Sequence, residues 1–262
     1  VSFILEDKHP RLRLTGNMLL HTDGRYKPAS WMDGMLNGLP VVPRTGYLVE
    51  INTFWYDALM FCGELVKENK HARYLDRVND VAEKVKHSFL DTFLNSAGYL
   101  FDFVDGYNAD WTVRPNMLYA IASEYPILDK RAAKIALDFV TKELLMSKGV
   151  RTASPKTGGF NPRYEGSREE KAFAAFNGMA RTSLIAPYLE AYLKVFQRSG
   201  LSFLDRILAG VEEEMANGCI GSLSEMYDGS MPSKGHGAVS SAISVAGVLR
   251  ALKLQNNFAD QY

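Results

Sequence analysis

The sequence predicts an all-α protein assembled from helical hairpins. Apolar residues recur at helical spacing in successive blocks from residue 50 to residue 254, alternating strand-like segments are sparse, and Gly- and Pro-bearing loops separate the blocks.

Residues 1–50 stand apart, because turn signals such as Asp23-Gly24 recur and no apolar period is sustained. Loops with short pieces of helix or strand are expected there. From Glu50, the residues Ile51, Phe54, Trp55, Ala58, Leu59, Cys62, Leu65 and Val66 define an amphipathic helix, punctuated by Asn69-Lys70. Leu75, Val78, Val81, Ala82, Val85, Phe89 and Phe93 define a second, and the two together make a hairpin. The aromatic stretch Gly98–Gly106 is bounded by glycines and is predicted as a strand or hairpin arm. A shorter helix over Arg114–Ser123 opens on Pro115, since a first helical turn has no use for the missing N–H.

Ala132, Ala133, Ile135, Ala136, Phe139, Val140 and Leu144 mark the next helix, ending near Gly149. A polar loop follows from Arg151 to about Glu170, with Pro155, Gly158, Gly159, Pro162 and Gly166; loops of that length are usually functional. Helices return at about Gly178–Arg198, at Ser202–Met215 with Ser202 as its cap, and at Ala238–Leu254. The last is apolar on several faces and is predicted to be central. Hairpins repeating about every 50 to 60 residues, with function in the loops, fit a toroid whose loops line one pocket, and equally fit a helical repeat scaffold. At roughly 29 residues per helix, twelve helices need about 350 residues. A ring in this 262-residue chain is therefore expected to be incomplete.

Thirty basic and thirty acidic residues cancel, so no net field favours nucleic acid or an anionic membrane, and a neutral substrate suits the balance. No apolar run reaches the roughly 18 to 20 residues of a membrane span, and Val1–Arg13 lacks a secretory pattern. Cys62 and Cys219 read as buried free thiols in a reducing compartment, so a cytoplasmic location is expected. Val1 is not an initiator residue, and the chain is expected to be part of a longer product.

There is no phosphate-cradling glycine loop, no His-Glu-x-x-His and no Cys-x-x-Cys, so neither cofactor nor metal is expected. His9, His21, His71, His87 and His236 lack ligand spacing and read as surface or structural residues. No nucleophile elbow supports Ser/His/Asp catalysis. Carboxylates set among aromatics and glycines carry the stronger signal, because glycosidic hydrolysis needs one acid and one base held apart by the sugar. Asp33 lies in Ser30-Trp-Met-Asp-Gly34, where an indole can stack on a sugar and keep water from the acid. Glu225 lies in the loop Gly218–Gly229, just ahead of the last helix. Taken alone, Asp33 reads first as a turn Asp beside a core Trp, and Glu225 as an ordinary loop Glu.

A series of short motifs runs along the chain, beginning with Trp31-Met32-Asp33, Pro43-Arg44-x-Gly46, Val49-Glu50-Ile51-Asn52 and Trp55-Tyr56. Asp110 with Arg114-Pro115-Asn116, Gly149–Pro155, Tyr164 with Gly166, and Asn177-Gly178 follow, and Gly218–Gly221 with Ser224-Glu225 and Ser244–Ala251 complete the series. In these motifs and their order, over about residues 20–253, the chain resembles the C-terminal amylo-α-1,6-glucosidase domain of glycogen debranching enzymes. The resemblance implies a single catalytic domain over 1–262 with an (α/α)6 toroid and short β hairpins in its loops. It also implies inverting hydrolysis of the α-1,6-linked glucose at branch stubs of glycogen or limit dextrins, with Asp33 as general acid and Glu225 as general base. A branched α-glucan is then the partner, and packing against N-terminal modules outside this chain is expected.

A glucose ring needs hydrogen bonds to its hydroxyls and an aromatic face. Trp31, Trp55 and Trp111 are candidates to stack; Arg44, Glu50, Asn52, Asp110, Arg114, Arg151 and Asn177 are candidates to bind hydroxyls or orient the acids. Each has a structural alternative: Trp55 lies on its helix's apolar stripe, and Glu50 suits a helix N-terminus. Family members usually carry His before Asn/Gln-Gly and a Trp-Pro-Trp-like stretch after it. Here the positions read Ala175-Phe176-Asn177-Gly178 and Met179–Leu184, and a further usual Trp is Ile243. These departures keep two alternatives open: a catalytically decayed glucan-binding toroid, and another toroidal α-glucosidase of glucoamylase or trehalase type.

Overall fold

The computed structural model describes residues 1–68 and 72–260. Asn69-Lys70, expected to punctuate the first long helix, and His71 lie outside the described residues. The chain is predominantly helical with short sheets, and it divides into two compact units. The first comprises Val1–Trp111 and Tyr119–Ala136; the second comprises Thr112–Leu118 and the chain from Leu137 onward.

In the first unit, α1 (Ser2–Leu5) precedes strands β1 (Arg13–Leu14), β2 (Leu20–Thr22), β3 (Met35–Leu36), β4 (Leu39–Pro40) and β5 (Gly46–Leu48). Helices α2 (Val49–Glu68) and α3 (Ala72–Phe93) pack against each other as the predicted hairpin partners. Helix α2 buries Val49, Trp55, Tyr56 and Leu59, and α3 offers Val78, Val81, Ala82, Val85, Phe89 and Phe93. The α3 set follows the 3.6-residue period read from the sequence, whereas on α2 the buried face is shifted: Phe54, Ala58 and Leu65 of the expected stripe are exposed, and Val49 and Tyr56 are buried in their place. Strands β6 (Phe103–Asp105) and β7 (Asn108–Ala109) form the hairpin arm expected within Gly98–Gly106 and carry it three residues further. They join an antiparallel sheet in the order β1-β2-β5-β6-β7. Helix α4 (Met117–Ala122) begins after Pro115, whose carbonyl accepts the Leu118 N–H in the preceding turn. Helix α5 (Lys130–Leu144) follows the predicted period and runs from the first unit into the second.

In the second unit, α5 ends not at Gly149 but directly in β8 (Leu145–Met146), and Gly149 opens β9 (Gly149–Arg151). The loop expected from Arg151 to Glu170 contains a helix, α6 (Arg168–Ala174), opened by a capping box. The Ser167 hydroxyl accepts the Glu170 N–H while the Glu170 side chain accepts the Ser167 N–H. The helix expected from Gly178 starts later, because Ala180–Arg181 is strand β10, followed by a 3-10 turn at Thr182–Leu184 and then α7 (Ile185–Phe196). Strand pairing wins at this apolar stretch, since β10 bridges β9 and β11 (Met226–Tyr227). Helix α8 (Leu201–Glu214) is capped by Gly200, so Ser202 is not its cap. Strand β12 (Gly235–His236) completes a second antiparallel sheet, β12-β11-β10-β9-β8. The short β pieces expected as hairpins in loops thus gather, among the described residues, into two five-stranded sheets and the separate β3–β4 hairpin.

Helix α9 (Ala242–Asp260) packs on α7 and on the 3-10 turn. Gly247 permits the approach, as a Cβ there would lie 2.9 Å from Ser183 Cα. The expectation of a central last helix is corrected: Ser244, Val248 and Ala251 are buried, but Ile243, Leu249 and Leu252 are exposed. The thiols are also corrected, since Cys62 and Cys219 are free but half-buried. No helix among the described residues is long and apolar enough to cross a membrane.

Candidate active site

Asp33 is exposed on the segment that leads into β3. Its neighbour Met32 is buried, and the Met32 N–H donates to Ser30 Oγ (3.3 Å). Ser30 Oγ in turn accepts from Arg44 Nη1 (2.9 Å), so the Trp-Met-Asp segment hangs from a buried guanidinium. Trp31 is half-buried beside it.

Arg44 is 3% exposed and is held by two carboxylates. It forks onto Glu50 through Nη1 and Nη2, and onto Asp102 through Nε (2.7 Å) and Nη2 (3.0 Å). Burial works against its charge, but Asp102 and Glu50 outweigh that cost and raise its pKa further above the ordinary arginine value. Asn52 is wholly buried. Its Oδ1 accepts from Leu20 N (2.7 Å), and its Nδ2 donates to the Leu20 and Leu48 carbonyls, which ties β2 and β5 to α2. Trp55 packs in the core and donates Nε1–H to the Met18 carbonyl. Arg44, Glu50, Asn52 and Trp55 thus spend their polar groups inside the first unit. Asp110 is half-buried and its backbone pairs with Asp102 and Phe103; Trp111 is 51% exposed, edge-on to Phe101 and Tyr99.

The second unit brings together the remaining candidates. Arg114, 4% exposed, donates Nη1–H to the carbonyls of Thr152 (3.0 Å) and Phe176 (2.7 Å), and Nη2–H to Asn177 Oδ1 (3.0 Å). Asn177 returns its Nδ2–H to the Phe173 carbonyl. Arg151 donates to the carbonyls of Gly229 and Glu143, and burial lowers its pKa. These three side chains lock the segments around residues 151, 177 and 229 to one another.

Glu225 stands at the entry to β11 with its side chain 39% exposed. It lines a cavity of about 340 Å³ with Arg181, Ser183, Ser240, Ile243 and Ser244. Its backbone N–H donates to the Ala238 carbonyl, and its Oε2 accepts the Ala238 N–H (3.2 Å). Oε1 lies 3.4 Å from Arg181 Nη1. Gly237, at φ +74°, is required beside it: a Cβ there would sit 2.6 Å from Glu225 Oε2. Three residues on, buried Asp228 accepts from Arg163 Nη1 (3.1 Å) and pairs with His236 Nε2 (2.9 Å), fixing the β11–β12 turn.

Sequence reasoning did not single out Asp102, Arg181, Asp228 or Gly237. Asp102 and Arg181 meet their partners 58 and 44 residues away, a separation that leaves no local pattern. The capping box at Ser167-x-x-Glu170 was the one missed feature with a sequence signal of its own.

The amylo-alpha-1,6-glucosidase family model matches residues 11–250. No curated protein is similar enough in sequence to match. Among solved structures, neutral trehalase Nth1 from Saccharomyces cerevisiae aligns with a TM-score of 0.61 at 11% identity, covering 81% of this chain and 39% of that one. This likeness shows a shared fold, and the chain spans about two fifths of the length of that structure.

Proposed function

This chain belongs to the amylo-alpha-1,6-glucosidase family, and from that membership we propose that it is an inverting glycoside hydrolase that removes α-1,6-linked glucose from branch stubs of glycogen or limit dextrins. The observation that carries the reading is Glu225, a half-exposed carboxylate held by the Ala238 N–H at a hydroxyl-lined cavity large enough for a sugar. Asp33 is the second carboxylate, solvent-accessible on a segment anchored through Ser30 to Arg44. Residues 1–262 are read as a single catalytic domain of (α/α)6 toroid type.

In the mechanism, Glu225 takes a proton from a water while that water's oxygen bonds to the anomeric carbon. Asp33 gives its proton to the leaving glycosidic oxygen as the C–O bond breaks, and the configuration inverts. Productive binding needs the two carboxyl groups about 6.5–9.5 Å apart, which leaves room for the water. Arg44 and Glu50 act as positioning residues in this scheme, because their polar groups are consumed in the network that holds Ser30. No metal or cofactor enters it, and Trp31 and Trp111 remain the aromatic surfaces for glucan. Asp33→Asn and Glu225→Gln each abolish glucose release from a branched limit dextrin while circular dichroism stays unchanged; full activity in either variant rejects the assignment.

A second reading, a toroid that binds glucan without cleaving it, draws support from the hydrogen bonds that Arg44, Asn52, Arg114 and Asn177 make inside the protein. Calorimetric glucan binding with no glucose released between about pH 4 and pH 8 selects it over the hydrolase.

A further inference from the structure

A general base must hold one oxygen toward one water, and a glutamate side chain that is 39% exposed has rotamer freedom to lose. The Ala238 N–H fixes Oε2, which leaves Oε1 to be held. The neighbouring strand β10 supplies the holder. Arg181 projects its Nη1 to 3.4 Å from Oε1, at the long end of hydrogen-bond distance, and both side chains line the same cavity. Its guanidinium lies over the ring of buried Phe176, 5.1 Å from the centroid, and only 14% of the side chain is exposed. A cation fixed between a strand and a ring loses little further entropy on pairing, unlike a surface ion pair.

We propose that Arg181 is a positioning residue for Glu225, which rests on the reading of Glu225 as general base. Glu225 loses its charge as it takes the water's proton, so a neighbouring cation gives the transition state nothing through charge alone. The benefit is geometric: one rotamer of the base is populated before substrate arrives, and misplacement by about 1 Å costs on the order of 100-fold in rate. Arg181 occupies the stretch Met179–Leu184, where the resemblance leads one to expect tryptophans.

The test compares Arg181→Met and Arg181→Lys in the full chain, alone and combined with Glu225→Ala in sodium azide. Azide is already an anionic nucleophile; its nitrogen bonds to the anomeric carbon while Asp33 protonates the leaving oxygen, so no base is needed. Arg181→Met, which keeps the contact with Phe176, lowers kcat about 100-fold with KM nearly unchanged, and Arg181→Lys recovers part of the loss. In the azide-rescued Glu225→Ala background, Arg181→Met changes turnover by less than about twofold. A kcat within about twofold of the parent in both Arg181 variants overturns the proposal. So does an equal loss with azide, which marks a structural or substrate-binding role. Wild-type turnover in Glu225→Ala without azide instead removes Glu225 as the base, and this inference with it.

Discussion

Removing Asp102 tests the network that supports the Trp-Met-Asp segment. Arg44, Glu50 and Asp102 are 3%, 1% and 1% exposed, so the cluster sits in a low-dielectric interior with two carboxylates to one guanidinium. Deleting one partner of a buried ion pair costs about 3–5 kcal/mol. In Asp102→Ala two charge-assisted bonds disappear, but Glu50 still neutralises Arg44 and the surplus negative charge leaves with Asp102. The loss therefore falls at the low end, about 3 kcal/mol. At about 2–4 °C per kcal/mol for a chain of this size, the melting temperature drops by roughly 6–12 °C. Arg44→Met is worse, because it strands two buried carboxylates together. All three tryptophans, Trp31, Trp55 and Trp111, lie in the first unit, so urea unfolding followed by tryptophan fluorescence reports on the unit that holds the cluster. A loss below about 1 kcal/mol for Asp102→Ala, or a milder effect for Arg44→Met than for Asp102→Ala, refutes the reasoning.

Three further outcomes follow from the same structure. Ser30→Ala leaves the first unit folded, at a cost of about 0.5–1.5 kcal/mol in urea titrations, but lowers kcat more than it raises KM because the Asp33 segment loses its tether. Gly237→Ala lowers glucose release about 10- to 100-fold, since the added methyl meets Glu225 Oε2 and the backbone stays at positive φ; wild-type kcat in that variant contradicts the placement of Glu225. Burial raises the pKa of Tyr188, only partly offset by its hydrogen bond to Thr141. The folded state then holds the phenolic proton more tightly than the unfolded chain, so this stabilisation is complete below about pH 10 and is lost as pH rises through the raised folded value. Tyr188→Phe therefore unfolds with a shallower alkaline decline than the parent in urea titrations at pH 9–11. Buried Tyr227, raised in the same direction, keeps some of the slope. An unchanged slope in Tyr188→Phe rules out Tyr188 as its source.

Helices were legible where one face of the period is buried, as on α3 and α5. On α2, which packs on α3 and on strands β2 and β5, the expected stripe and the buried face differ, and Phe54 and Leu65 are exposed. Strands of two or three residues, such as β8, β10 and β11, are too short to show alternation, and Ala180–Arg181 vanished into an apolar stretch that reads as helix. Apolar content misled at α9, where Ile243 and Leu249 face outward despite their chemistry. At the candidate site, the carboxylates Asp33 and Glu225 stood out against their glycine- and aromatic-rich surroundings, and Arg44 and Glu50 came from the family resemblance. Their partners did neither, since Arg44 finds Asp102 and Glu225 finds Arg181 only through tertiary pairing of distant strands.

The anomeric form of the first glucose released tests the proposed acid–base pair most directly. Proton NMR during the first turnovers on a limit dextrin, ahead of mutarotation, resolves the two anomers. Direct attack by water activated by Glu225, with Asp33 protonating the leaving oxygen, yields β-glucose first. Initial release of α-glucose contradicts the account, because it requires a covalent intermediate and carboxyl groups only about 5 Å apart.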